Sequence, residues 1–144
     1  MKNMEENQFI ALSEIEENFS FFSDWEERFQ YLIDLGKSLP GLPDSYKTEE
    51  FKVKGCTSQV WLVPEKEGGK FYFRADSDAF IVRGLIYIIL AAYNGKRSDE
   101  ILSVDINQVF SELGLEQNLS PNRRNGFFSM VEKIKSYAGA AGKD

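Results

Sequence analysis

The sequence predicts an α+β fold in which an antiparallel sheet of three strands is covered on one face by helices. Three observations carry that prediction. Hydrophobic residues recur at helical spacing in the first 39 residues and again beyond Ala79, in runs opened by capping residues and closed by Pro or Gly. Between Phe51 and Arg74 the period falls to two, with turn residues interrupting it. The order of helices, then strands, then helices segregates sheet from cover, unlike the regular alternation of a parallel α/β protein.

Each element follows from local residues. Phe9, Ile10 and Leu12 form an amphipathic entry segment. Ser13 precedes Glu16 by three residues, and Ser23 precedes Glu26 likewise, so each pair is expected to cap a helix reciprocally. The second helix, roughly Trp25 to Lys37, carries Trp25, Phe29, Leu32, Ile33 and Gly36 on one face, and the run Leu39-Pro40-Gly41-Leu42-Pro43 ends it. Pro43 to Glu50 reads as a polar loop. Phe51 and Val53 point inward and Lys52 and Lys54 outward on a first strand; Gln59 to Pro64 and Lys70 to Arg74 supply the other two, separated by the turn Lys66-Glu67-Gly68-Gly69.

Asp76-Ser77-Asp78 places capping, acidic residues before a central helix that starts near Ala79 and closes at Asn94-Gly95. Short helices are expected from Ser98 to Leu102 and from Ile106 to Leu113, and Ser120-Pro121 opens a last helix to about Tyr137. The whole chain, residues 1–144, is one domain with its core at about residues 10–138 and a flexible tail at residues 139–144. Hydrophobic residues make up 42% of it, including 12 Phe. A chain of this length buries roughly 68–70% of its unfolded surface, enough for one core without disulfides or structural metal.

Composition excludes several functions. A net charge of −6 repels phosphate backbones, so nucleic acid is not an expected partner. The start MKNMEENQFIAL lacks the basic opening and apolar stretch of a secretory signal. The most apolar run, Ala79 to Tyr93, is interrupted by Arg83 and Gly84 and falls short of the roughly 20 residues that cross a bilayer, so no membrane is expected. One cysteine and no internal disulfide fit a reducing, cytoplasmic location.

That cysteine, Cys56, is the chemical focus of the chain. There is no histidine to activate it for hydrolysis, no set of ligands for zinc or an iron–sulfur cluster, and no Cys-x-x-Cys for disulfide exchange. A free cysteine is often only a small core hydrophobe. Here Gly55 precedes it, Thr57, Ser58 and Gln59 follow it, and the strand phase turns it outward with Lys52 and Lys54, which predicts an exposed loop tip. The two lysines either stabilise a thiolate or are simply solvated. A nucleophilic thiolate without proton-transfer machinery suits attack on a persulfide sulfur, which needs only access and a leaving thiol.

The string Val53-Lys54-Gly55-Cys56-Thr57-Ser58-Gln59-Val60-Trp61-Leu62-Val63 resembles the signature of the SufE family of sulfur acceptors. The resemblance continues through Trp25-Glu26-Glu27-Arg28, Leu35-Gly36-Lys37-Ser38-Leu39-Pro40, Asp76-Ser77-Asp78-Ala79, Ile81-Val82-Arg83-Gly84-Leu85 and Leu119-Ser120-Pro121-Asn122-Arg123. It spans about residues 15 to 138. It implies a curved three-stranded sheet related to the IscU-type scaffold fold, with the cysteine on a loop between strands. It further implies that Cys56 accepts sulfur from a SufS-type cysteine desulfurase, stimulates that enzyme and passes sulfur toward an iron–sulfur scaffold. The chain itself then needs no cofactor or metal, because pyridoxal phosphate stays with the partner. Asp78 and Arg123 match positions near the acceptor loop or the desulfurase contact, or serve the helix starts they stand in; Gly55, Ser58 and Gln59 shape the loop, and Trp61 belongs to the core. Two other functions stay open: a non-covalent activator in which the thiol is incidental, and a thiol redox sensor.

Overall fold

The computed structural model describes residues 9–142, with side chains through residue 139. Its centre is a hairpin of β1 (Val60–Glu67) and β2 (Lys70–Ser77), paired from Val60↔Ser77 to Glu67↔Lys70. The two turn residues, Gly68 and Gly69, have φ of 61° and 83°, the left-handed pair that a two-residue hairpin requires. Pro64 is tolerated in β1 because that strand lies at the sheet edge.

The sheet has three antiparallel strands in the order β1-β2-β3, but its third strand is not the expected one. β3 is the two-residue Lys96–Arg97, brought beside β2 by the turn at Asn94-Gly95. Two residues between helices display no periodicity, so nothing in the pattern announces them. The segment expected as the first strand makes a single bridge, Lys52↔Trp61, flanked by hydrogen bonds from Val53 N to Val60 O and from Leu62 N to Phe51 O. It cannot extend further, because Gly55 turns the chain with φ +87°.

Among the described residues, seven helices surround the sheet: α1 (Leu12–Phe21), α2 (Trp25–Ser38), α3 (Phe80–Tyr93), α4 (Ser98–Ser103), α5 (Ile106–Glu112), α6 (Leu115–Asn118) and α7 (Pro121–Gly142). Their starts refine the expected caps. Ala11 precedes α1 and caps with no side chain, leaving Ser13 inside the first turn. At α2 the cap is Asp24, which accepts from Glu27 N, while Glu27 Oε1 accepts from Ser23 N; the reciprocal pair is shifted one residue from Ser23 and Glu26. Ser120 Oγ accepts from Arg123 N at the start of α7, as anticipated. α6 was not expected; it follows the left-handed Gly114. α7 stays helical past Gly139, where a tail was expected, through Gly142; residues 143–144 lie outside the described residues.

The core is built on α3, buried from Gly84 through Leu90. α2 crosses it at two glycines: a Cβ on Gly36 would stand 2.5 Å from Phe80 O, and one on Gly84 would stand 2.1 Å from Leu32 O. Val60, Leu62, Phe71, Phe73 and Ala75 present one sheet face to this core. The opposite face, carrying Trp61, Arg74 and Asp76, is strapped by the loop after α2, which contains a 3₁₀ turn at Asp44–Tyr46. Lys47 Nζ lies 3.3 Å from Asp76 and 5.5 Å from the Trp61 ring centroid, and Arg74 lies 5.6 Å over Tyr46.

Asp76 is buried and bonded, so it does not cap α3 as expected. It pairs with Arg83 and accepts from Leu42 N and Ser77 N. Arg83 also donates to Gly36 O at 2.9 Å and Leu39 O at 2.7 Å, fastening α2, α3, the strap and β2 at one point. Among the described residues no helix is long and apolar enough to cross a membrane.

Candidate functional site

Cys56 lies in the loop that joins the Lys52 bridge to β1. Its base is tied by the bond from Val53 N to Val60 O at 2.8 Å. Its far end is clamped by Asp78 in two directions: Gln59 N donates to Asp78 Oδ1 at 3.2 Å, and Asp78 N donates to Gln59 O at 3.3 Å. Gly55 supplies the bend between them. Its φ of +87° is open chiefly to glycine, and a Cβ there would meet Ser129 Oγ at 2.6 Å.

That bend reverses the predicted direction of the thiol. The strand phase that turns Lys54 to solvent does not continue through a left-handed residue, so Cys56 is half-buried against the core instead of exposed. Its S–H donates weakly to the Gly126 carbonyl of α7 at 3.7 Å. Burial pushes the thiol pKa above its ordinary value, because the charged form loses solvation. Lys52 and Lys54 do not counteract this; they pair with Glu49 at 3.8 Å and 3.4 Å. At neutral pH the resting group is a protonated thiol.

A cavity of about 210 Å³ opens beside it. Val60 of β1, Val82 and Leu85 of α3, and Phe127 and Met130 of α7 make its largely buried walls, while exposed Thr57, Asn122 and Arg123 ring its mouth with Ser58 and Ser120. The Arg123 guanidinium has no ion pair or hydrogen bond to any described residue and is free to meet a ligand or partner there. Among the described residues, no three Cys, Asp or Glu side chains gather where a metal ion could be held.

The six residues singled out from sequence thus divide by position. Cys56, Ser58 and Arg123 line the cavity, whereas Gly55, Gln59 and Asp78 hold the loop that carries the thiol. Sequence reasoning did not place Gly126, Val82, Leu85, Phe127 or Met130 at the site. For Gly126 a signal exists: glycine inside a helix costs stability and so marks a position with another demand on it. The apolar wall residues carry none, since they follow the same periodicity as the rest of the core.

A half-buried thiol with an adjoining cavity can accept one or a few atoms on sulfur and shelter them. It has no histidine nearby to act as base. A family model described as "SufE: Fe-S metabolism associated domain" matches residues 13–138. An uncharacterized SufE-like protein of Rhizobium etli is 48% identical over 138 residues, covering 92% of this chain and 93% of that one. Another from Rhizobium meliloti is 46% identical over 132 residues, covering 89% and 94%. The solution structure of a hypothetical protein from Thermus thermophilus has the same fold, with a TM-score of 0.73 at 21% identity over 92% of this chain and 96% of its own.

Proposed function

Because the chain belongs to the SufE family of domains associated with Fe–S metabolism, we propose that Cys56 is a sulfur acceptor that takes persulfide sulfur from a SufS-type cysteine desulfurase. The observation that carries this reading is a single half-buried thiol facing a cavity, in a chain with no histidine and no second cysteine. Such a thiol has little use as an independent catalyst. It suits a carrier whose reactivity is raised when a partner draws the loop from its seat and restores solvent or a base to the sulfur.

In the transfer, the Cys56 thiolate attacks the outer sulfur of the donor persulfide. A new S–S bond forms at Cys56, the donor's S–S bond breaks, and the donor sulfur leaves as thiolate. The Cys56 proton passes to solvent or the partner, and no net oxidation occurs. The same chemistry passes the sulfur onward toward an iron–sulfur scaffold: an acceptor thiolate attacks the outer sulfur of the Cys56 persulfide, the S–S bond at Cys56 breaks, and Cys56 leaves as thiolate. Arg123, unpaired at the cavity mouth, offers a positive charge to the developing anion or to the partner. Asp78 keeps the loop in register through Gln59.

Desulfurase turnover tests the reading. Wild type is expected to accelerate release of alanine from cysteine, and Cys56→Ser to lose that acceleration while melting like wild type. Undiminished acceleration by the serine variant contradicts the carrier role and leaves non-covalent activation.

A further inference from the structure

Gly126 stands apart from the other close-packed glycines. At Gly36 and Gly84 an added Cβ would collide with backbone oxygen at 2.5 Å and 2.1 Å, and at Gly55 the positive φ excludes one. At Gly126 the nearest atoms are Cys56 Sγ at 3.5 Å, Cys56 Cβ at 3.8 Å and Cys56 Cα at 3.9 Å, ordinary contact distances. The resting protein therefore has room for alanine at this buried helical position. Alanine is also the better helix former by about 0.8–1.0 kcal/mol. Neither packing nor backbone geometry at rest requires glycine, and the three atoms nearest the space left open all belong to Cys56.

We propose that Gly126 is kept bare to house the second sulfur of a Cys56 persulfide, making it a positioning residue for the loaded carrier. This deepens the acceptor reading and rests on it. An S–S bond of about 2.05 Å lets an outer sulfur on the α7 side of Sγ close the 3.5 Å gap to an alanine methyl to well inside contact distance, whereas the bare α-carbon of glycine stands about 1.5 Å further back. With glycine the same atom lies over the helix backbone, within the cavity and away from solvent nucleophiles. With alanine it is driven toward the mouth, where Thr57, Asn122 and Arg123 are exposed.

The test compares wild type and Gly126→Ala after loading with inorganic polysulfide, in which Cys56 thiolate takes one sulfur and a shortened polysulfide leaves. Intact mass then follows loss of that sulfur to a fixed concentration of dithiothreitol. The alanine variant is expected to melt at or above the wild-type temperature, to keep its sulfur for a time shorter by roughly tenfold, the scale of a modest overpacking penalty, and to be alkylated as thiol no faster than wild type. Equal lifetimes overturn the role of Gly126 while leaving Cys56 an acceptor. An alanine variant that fails to fold overturns it too, because the resting space is then not open. A wild type that takes up no sulfur from polysulfide or from desulfurase with cysteine refutes the acceptor reading itself, and this inference with it.

Discussion

A half-buried thiol beside apolar walls holds its proton more tightly than one in water, and the neighbouring Lys52 and Lys54 pair with Glu49 instead of reversing that preference. Alkylation of the isolated protein is therefore expected to rise with pH along a curve displaced above that of free cysteine, whose midpoint is about 8.5. A curve displaced below it would contradict the buried, unassisted thiol. The same shift links to stability. Since the folded pKa is the raised one, its contribution is complete below the unfolded thiol pKa and is lost as pH climbs through the folded value. Wild type should accordingly lose stability relative to Cys56→Ala above about pH 8.5, as read by urea melts; parallel curves would contradict it. The choice of this thiol as the candidate group was legible by elimination, since one cysteine and no histidine leave few chemistries. Its orientation was not legible. Period-two reasoning assumes an extended backbone, and the left-handed turn at Gly55 ends that assumption one residue before the thiol.

Among elements, the Cys56 loop is fastened by the reciprocal Asp78 and Gln59 bonds at its exit and seated on α7 through Gly55 and Cys56. Asp78→Ala removes one exposed hydrogen bond, so it should leave the melting temperature nearly unchanged while raising the rate of Cys56 alkylation roughly two- to tenfold. An unaltered rate would show that Asp78 does not hold the loop. The crossing of α2 over α3 is less forgiving. Gly84→Ala places a methyl against the Leu32 carbonyl and is expected to cost about 1–3 kcal/mol in a denaturant melt; wild-type stability would mean that the helices are not this close. Long elements were readable because Trp25 to Ser38 repeats the helical period over several turns and Phe80 to Tyr93 is an apolar run too long for a strand, bounded by capping and turn residues. β3 and α6 were not, because two or four residues contain barely one period, too little to show a repeat, and are fixed by neighbours such as Phe71, whose carbonyl accepts from Gly95 N.

At the scale of the whole molecule, the α+β architecture and its antiparallel sheet were predicted correctly from patterning, while the second sheet face was not. Pro43 to Glu50 looks polar, yet Lys47 and Tyr46 from that loop cover Trp61, Arg74 and Asp76, a long-range arrangement that no local pattern encodes. The strap, β2, α2 and α3 converge on Arg83. Arg83→Met would strip a buried carboxylate of its main partner and two carbonyls of their donor, with an expected loss of about 3 kcal/mol, the lower end of the range because Lys47 remains 3.3 Å away. A loss below measurement error would show that the convergence is not structural. This scaffold presents a thiol on one loop beside one cavity, and the central claim is that the thiol receives sulfur from a partner. Intact mass and peptide mapping after anaerobic incubation with a cysteine desulfurase and cysteine test it most directly. One added sulfur atom, located on Cys56, is the predicted result; an unchanged mass, or sulfur found elsewhere on the chain, would contradict it.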